Sequence, residues 1–186
     1  MHVETYTTSN DVIDAADRSE RKKFINSVIS VFNDIDYSRH IQLLKARVKK
    51  AQVQKVKGAI VKEFQSELHE KLNKIFESKG WLKEEKISLH SKDRVDLSFK
   101  IVLDSIAYKV VIELDTSRGD QIAKKFVSRT SHTINEATIY FAFCYPGTEK
   151  MPDGDFKKIL MHCQNITSKL HTEDVPRLFI GLIAVY

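Results

Sequence analysis

The amino-acid sequence predicts an α/β fold, a mixed sheet flanked by helices and preceded by an N-terminal helical segment. Apolar residues recur at spacings of three and four as far as Gly80, which indicates amphipathic helices. Beyond Trp81 the pattern changes to alternation and then to short continuous apolar runs, as in half-buried and fully buried strands. We therefore expect residues 1–55 to form a helical segment, basic from residue 39, and residues 56–186 to form the core of one compact domain.

Three helices are predicted before Gly80. Residues 1–16 are polar without a clear period and are expected to be loosely held. The first helix is expected to begin at Asp17, and Ser38 is a candidate cap for the second. The third helix has one long apolar stripe and is expected to stop at Gly80. This stripe consists of Val56, Ile60, Phe64, Leu68, Leu72, Ile75 and Phe76.

Two alternating strands follow, and they match as an antiparallel hairpin that turns at Asp104-Ser105. The register is the one in which the numbers of two paired residues add up to 209. In it, each apolar residue of one strand faces an apolar residue of the other. A shift by one residue would turn one apolar set to the opposite face, so the register is well specified. The predicted pairs are Val95 with Leu114, Leu97 with Ile112, Phe99 with Val110, and Ile101 with Tyr108.

The remaining elements alternate between helix and strand. Amphipathic patterns predict helices over residues 119–129 and 155–169. Continuous apolar runs over residues 137–145 and 178–186 predict two buried strands. Together with the hairpin, this order predicts a mixed sheet with helices on both faces.

Acidic side chains occupy the other face of the predicted hairpin. The register sets Asp96 directly across from Glu113, and Asp115 lies two residues further along the same face. Directly opposed residues have Cβ atoms about 5 Å apart, and two carboxylates there repel each other unless a proton or a cation intervenes. Mg²⁺ binds through one or two carboxylates together with phosphate oxygens and water. The pair is therefore a candidate magnesium site, and the alternative is a solvent-facing surface on which acids are merely tolerated.

Other side chains are candidates to complete this site. Glu67 and Glu70 share a flank of the long third helix and are candidate metal ligands. On the helix after the hairpin, Lys125 is the candidate cation to orient a water or to hold a phosphate. It belongs to a polar row with Gln121 and Arg129 at helical spacing. The alternative for this row is a solvated helix face.

Positive charge is concentrated in one part of the chain. The formal net charge is +5, from 30 basic and 25 acidic residues. Residues 37–62 contain eight basic side chains and no acidic one, a composition that attracts polyanions. The alternative is again a solvated helix face. The candidate contacts to DNA or to a protein partner are Lys45, Arg47, Lys49, Lys50, Lys55 and Lys57, with Arg118 after the hairpin.

Residues 58–145 resemble the PD-(D/E)xK nuclease superfamily, which has the restriction-endonuclease fold. The resemblance consists of a long helix ending in Lys79-Gly80-Trp81, a hairpin carrying Asp96, the acidic segment Val110–Asp115 and a basic helix. It implies a catalytic core in which Asp96 and Glu113 bind Mg²⁺. It also implies that a glutamate of the preceding helix assists, for which Glu67 or Glu70 is available.

Two positions depart from the superfamily pattern. Val95 stands where a proline usually precedes the first acid, and Asp115 stands where a lysine usually follows the second. Some restriction enzymes carry an acid at that second position, where Asp115 would bind metal or orient water. Others take the missing cation from the following helix, which here offers Lys124 or Lys125.

A narrower likeness is to the small subunit of heterodimeric type IIS restriction endonucleases. It is carried by the segment Ile112–Gln121 and its continuation Lys124–Phe126. In those systems a large subunit recognises a short site and nicks one strand, and the small subunit supplies the active site for the other. The likeness implies a Mg²⁺-dependent, site-specific deoxyribonuclease subunit that acts on double-stranded DNA in a hetero-oligomer and uses no small-molecule substrate.

Two alternatives remain open from the sequence: a standalone restriction or repair nuclease, and a degenerate nuclease fold that serves as a DNA-binding or interaction module. The longest apolar runs fall short of the roughly 20 residues that span a bilayer, so no membrane partner is expected. The sequence has neither a leader-like start nor a CxxC motif. We therefore expect a cytoplasmic protein with free thiols.

Overall fold

The computed structural model of the chain describes residues 3–7, 20–35, 37–87, 92–115, 119–144 and 153–184. Its elements fall into helices and strands whose bounds follow in chain order. The helices are α1 (Glu20–Asn33), α2 (Tyr37–Lys50), α3 (Gln54–Glu77), α4 (Gly119–His132) and α5 (Asp153–Leu170). The strands are β1 (Val3–Thr7), β2 (Leu82–Lys83), β3 (Leu97–Leu103), β4 (Ile106–Asp115), β5 (Thr138–Cys144) and β6 (Arg177–Ala184).

The six strands form one mixed sheet in the order β1-β6-β5-β4-β3-β2. Strands β4, β5 and β6 run parallel, and each is followed or preceded by a helix that crosses from one strand to the next. The other pairs are antiparallel. All described residues of β5 and β6 are buried, as their continuous apolar sequences require. The predicted α/β class with a mixed sheet is confirmed.

Helices cover both faces of the sheet. Along β4, Val110 and Ile112 belong to a first core that includes the buried stripes of α1 and α3. Between them, Val111 belongs to a second core that includes the buried residues of α4 and α5. Successive residues of a strand point to opposite faces, so α3 and α4 lie on opposite sides of the sheet.

The helix α1 is part of the first core. The Phe32 ring, which is fully buried, lies 4.7 Å from the ring of Phe143 on β5 and 5.4 Å from that of Phe76 on α3. Arg21 donates a hydrogen bond to the Tyr108 hydroxyl at 3.1 Å. The boundary near residue 55 therefore does not separate two cores.

Strand β1 corrects one expectation. The polar composition of residues 1–16 predicts a loosely held segment, but Val3–Thr7 pairs with the outer edge of β6. Edge pairing is made by backbone groups and needs no apolar alternation in the added strand. Residues 8–19, which include the predicted helix start at Asp17, lie outside the described residues.

The β3–β4 hairpin has the predicted register from Leu97 to Leu103. Leu97 pairs with Ile112, and the turn falls at Asp104-Ser105, where both residues have positive φ. At its other end the ladder stops with the pair of Leu97 and Ile112, so the predicted pairing of Val95 with Leu114 is wrong. Residues 94–96 instead follow the segment 84–87, since Val95 N–H donates to the Glu85 carbonyl at 2.9 Å.

None of the described helices is both long and apolar enough to cross a membrane. The two continuous apolar runs that the sequence singled out contain β5 (Thr138–Cys144) and β6 (Arg177–Ala184), which are inner strands of the sheet. Their side chains are buried by the helices on the two faces.

Candidate functional site

The two acids of the hairpin come together at one end of β4. Glu113 is 1% exposed and alternates with Ile112 and Leu114, so it points to the face that α4 covers. Asp96 lies just before β3, where the chain has left the ladder. Its Oδ2 accepts a hydrogen bond from the Leu114 backbone N–H at 2.7 Å. The carboxylate of Asp96 thus takes the place of the missing backbone pair beside Glu113.

Lys125 of α4 lies between the two acids. Its Nζ is 3.1 Å from Glu113 Oε2 and 4.0 Å from Asp96 Oδ2. The Lys125 and Asp96 side chains are each 31% exposed, so the group opens to solvent on this side. The structure therefore brings together the three residues that the sequence selected as acid, acid and cation.

Arg129 lies one helical turn after Lys125 and binds the other oxygen of Glu113. Its Nε donates to Glu113 Oε1 at 3.1 Å, and its Nη1 donates to Asp93 Oδ2 at 2.6 Å. Sequence reasoning placed Arg129 only in the polar row and gave Asp93 no role. The spacing of four from Lys125 was the available signal, because it puts both cations on one helix face. We call Asp96, Glu113, Lys125 and Arg129 the charged cluster.

Burial and the two neighbouring cations change the pKa of Glu113 in opposite directions. Burial, together with the neighbouring Asp96 carboxylate, raises the pKa of Glu113 to about 7, although Lys125 and Arg129 oppose the rise. The Ser128 hydroxyl and Arg129 lower the pKa of Asp93. Glu113 therefore holds its proton at higher pH than an exposed glutamate, and an additional cation beside it favours its ionised form.

The donor set of the charged cluster fits Mg²⁺. Both acids are hard oxygen donors, and Mg²⁺ typically takes one or two carboxylates and fills its remaining positions with water and phosphate oxygens. Within the described ranges, no group of three or more His, Cys, Asp or Glu residues is arranged as a ligand set.

The structure does not bring Glu67 and Glu70 to the acid pair. They belong to α3, which packs on the other face of the sheet from α4. Both are exposed, and Glu70 Oε1 lies 2.9 Å from Lys74 Nζ. The expectation of a metal ligand from this helix is therefore corrected. Helical periodicity places these acids on the solvent side of α3, with the sheet between them and Glu113.

The other predicted site residues are Asp115 and Arg118. Asp115 is the last residue of β4 and pairs with Cys144 of β5, while its side chain lies outside the described residues. Arg118 also lies outside them. The roles assigned to both from the sequence therefore stay predictions.

The predicted basic contact residues lie on α2 and on the first turns of α3. Arg47, Lys49, Lys50 and Lys55 are exposed, and Arg47 is paired with Glu63 at 2.8 Å. The side chains of two others on these helices, Lys45 and Lys57, lie outside the described residues. We call the exposed cations Lys49, Lys50 and Lys55 the basic surface.

Comparison with known proteins gives no relative for this chain. No protein-family model matches it, and neither does any curated protein or solved structure. What the charged cluster can do is therefore argued from its own contacts, burial and charge, together with the resemblance in the sequence.

Proposed function

We propose that this chain is a Mg²⁺-dependent endonuclease subunit that hydrolyses one strand of duplex DNA, with site recognition supplied by a large partner subunit. The observation that carries the proposal is the meeting of Asp96 and Glu113 around Lys125. Two acids and a lysine that meet at a partly exposed place are suited to phosphodiester hydrolysis with a divalent ion. The sequence resemblance to PD-(D/E)xK nucleases names the same acids independently of these contacts.

Three residues of the charged cluster have tasks in the proposed reaction. Asp96 and Glu113 would hold the ion. When bound, Mg²⁺ lowers the pKa of a water and offsets the charge that develops on the leaving 3′-oxygen. Lys125, partly exposed beside both acids, places its ammonium against a non-bridging oxygen of the scissile phosphate. The fixed positions of these groups reduce the entropy cost of aligning water and phosphate.

Two observations support a large partner subunit in this proposal. The chain shares the segment Ile112–Gln121 with the pattern of small subunits of heterodimeric type IIS enzymes, and it carries no helix-turn-helix or zinc-finger signature. The basic surface supplies contacts to phosphates, which position a protein on DNA without reading its sequence. A subunit with these features is suited to cut a strand that another subunit selects.

A strand-specific cleavage assay tests this proposal. End-labelled duplex is incubated in Mg²⁺ with this chain, with a site-specific nicking large subunit, and with both. The expected result is an intact duplex, a nick in one strand, and a break in both strands, respectively. Cutting by this chain alone would favour a standalone nuclease, and a mixture that only nicks would contradict the proposal.

A second candidate function is a DNA-binding or interaction module without catalysis. The observation that favours it is that both oxygens of Glu113 already have cationic partners, Lys125 and Arg129. The cluster would then be a buried ion-pair network that fixes α4 on the sheet. Titration with Mg²⁺ distinguishes this module from an endonuclease. If the oxygens of Glu113 stay paired with Lys125 and Arg129, the protein shows no saturable Mg²⁺ binding.

Binding of Mg²⁺ is expected to depend on pH around 7. The ion must displace the proton from Glu113, whose pKa burial and Asp96 raise to about 7, so its affinity falls about tenfold per pH unit well below that value. Calorimetric titration on both sides of pH 7 measures this, and Glu113→Gln, which lacks one of the two ligands, is expected to show no saturable binding at either pH. An affinity that is flat from pH 6 to 8 would contradict it.

The raised pKa of Glu113 also predicts that the folding stability of the metal-free protein decreases as the pH rises, whereas its Mg²⁺ affinity increases. The folded-state pKa of Glu113 lies above its ordinary value of 4.5, so the folded state holds the proton more tightly. The stabilisation that this proton provides is complete below pH 4.5 and disappears as the pH rises through 7. The stability of the metal-free protein and its Mg²⁺ affinity therefore respond to pH in opposite directions.

The basic surface is expected to hold duplex DNA through its phosphates. Lys49→Ala with Lys50→Ala should weaken binding to a duplex of arbitrary sequence and lower the salt slope of log affinity by about 0.9 for each phosphate that is no longer neutralised. The matched control is Lys158→Ala with Lys169→Ala, two exposed lysines of α5 on the other face of the sheet. Equal slopes for both double variants in fluorescence anisotropy would exclude this surface.

A further inference from the structure

All three guanidinium nitrogens of Arg129 donate hydrogen bonds. Nε donates to Glu113 Oε1 at 3.1 Å, Nη1 to Asp93 Oδ2 at 2.6 Å, and Nη2 to the Arg94 carbonyl at 2.7 Å. The residue is buried, with 9% of its surface exposed. A planar fork with several partners fixes their relative positions, which a lysine ammonium cannot do.

The three acceptors lie on the two chain segments that carry the acids. Glu113 belongs to β4, whereas Asp93 and the Arg94 carbonyl precede Asp96 by three and two residues. The guanidinium therefore ties the segment that presents Asp96 to the side chain of Glu113. Ser128, adjacent on α4, adds a hydrogen bond to Asp93 Oδ2 at 2.5 Å.

This link matters because β3 and β4 no longer pair at the site. The ladder ends at Leu97 with Ile112, so regular strand pairing does not set the distance between Asp96 and Glu113. Among the described contacts, three connect the two segments there: the hydrogen bond from the Leu114 N–H to Asp96, the Lys125 ammonium 3.1 Å from Glu113 and 4.0 Å from Asp96, and the Arg129 fork. The position of the first acid relative to the second thus depends on a side chain of α4.

We propose that Arg129 is a positioning residue that holds Glu113 and the Asp93–Asp96 segment in the geometry that binds the metal ion. This inference rests on the proposed function for the identity of the ion, but not for the link itself. Residues that orient metal ligands typically contribute about 10- to 100-fold to metal affinity. Arg129 does not contact the reacting phosphate in this proposal, and its role is distinct from that of Lys125.

The test compares Arg129→Lys, which keeps the charge, with Arg129→Gln, which removes it. Calorimetry with Mg²⁺ alone measures affinity, and carbon-13 NMR of metal-free protein observes the carboxylates of Asp96 and Glu113. Their resonances are assigned with Asp96→Asn and Glu113→Gln. The control is Lys169→Gln, which removes one exposed charge from α5.

We expect both Arg129 variants to bind Mg²⁺ about 10- to 100-fold more weakly than the parent and the control. We also expect the Asp96 resonance to shift or broaden in Arg129→Lys, although Arg129 acts on Asp96 only through its neighbours. Parent-like affinity and an unmoved Asp96 resonance in Arg129→Lys would overturn the inference. A role of Arg129 in stability alone would lower the melting temperature and leave both measurements unchanged.

Asp93→Asn provides a second route if the Arg129 variants do not fold. Asp93 is partly exposed, and its replacement removes one anchor of the fork while leaving Glu113 in place. We expect a smaller decrease of Mg²⁺ affinity in the same direction, with a shift of the Asp96 resonance. An unmoved resonance would overturn the inference. If the parent protein binds no Mg²⁺, the proposed function fails, and the NMR comparison still decides whether Arg129 positions the acids.

Discussion

Replacing Glu113 by glutamine is expected to abolish cleavage of the second strand in the mixture with a nicking large subunit. Its carboxylate is the more deeply buried of the two acids that would hold the ion, since the side chain of Glu113 is 1% exposed and that of Asp96 31%. An ion in such a site contributes several kcal/mol to the transition state, so the expected loss in rate is about a thousandfold. The measurement is the accumulation of nicked duplex over time, with the nicking rate unchanged.

The matched control for this variant is Glu173→Gln, which changes an exposed glutamate in the turn before β6. It should cut both strands at the parent rate. Melting curves of both variants establish that each is folded at the assay temperature. Double-strand breaks at the parent rate with Glu113→Gln would refute the catalytic role of the acid pair and favour the interaction module.

Replacing Phe32 by alanine is expected to cost about 3–5 kcal/mol of folding free energy. The ring is fully buried between α3 and the sheet, where it contacts the rings of Phe76 and Phe143. Domains are stable by only about 5–15 kcal/mol, so this is a large share of the total. At about 2–4 °C per kcal/mol, the melting temperature should fall by roughly 10 °C. Denaturant unfolding and thermal melts measure the effect.

The control for Phe32→Ala is Ile134→Ala, which truncates an apolar side chain that is 49% exposed after α4. A change of less than about 0.5 kcal/mol is expected there. If Phe32→Ala were equally mild, α1 would not be docked on the sheet. The N-terminal residues would then be an independent helical segment, as the boundary near residue 55 allowed.

The hairpin was the part of the fold most accessible to sequence reasoning. Side chains alternate strictly along a strand, so only one register puts Leu97 opposite Ile112 with every apolar pair on one face. The ends of the hairpin were less accessible. Extrapolation to Val95 failed because the segment 84–87 competes for its backbone hydrogen bonds, and nothing in the alternation of β3 reports on that segment.

Of the candidate site, the sequence could predict only the two acids and one cation. Alternation put Asp96 and Glu113 on the face away from the first core, and helical spacing made Lys125 a candidate. Arg129 was placed in the polar row of α4 without a role of its own, although it is buried and binds Glu113. Its burial depends on how closely α4 approaches β4, a long-range contact that local periodicity does not contain.

The sequence alone indicated four of the six described strands, from alternation or from continuous apolar runs, and the period of two in a strand indicated the facing residues of the hairpin and the choice of the two acids. It did not indicate β1 and β2, which pair with the edges of β6 and β3 through backbone groups. Tertiary structure decided which helix reaches those acids. Periodicity tells which side of a helix is buried but not which face of the sheet it covers, so Glu67 and Glu70 of α3 were candidate metal ligands alongside Lys125 of α4 as the candidate cation. Packing placed α3 on one face and α4 on the other, and thereby put Lys125 and Arg129, and not the glutamates, beside Glu113.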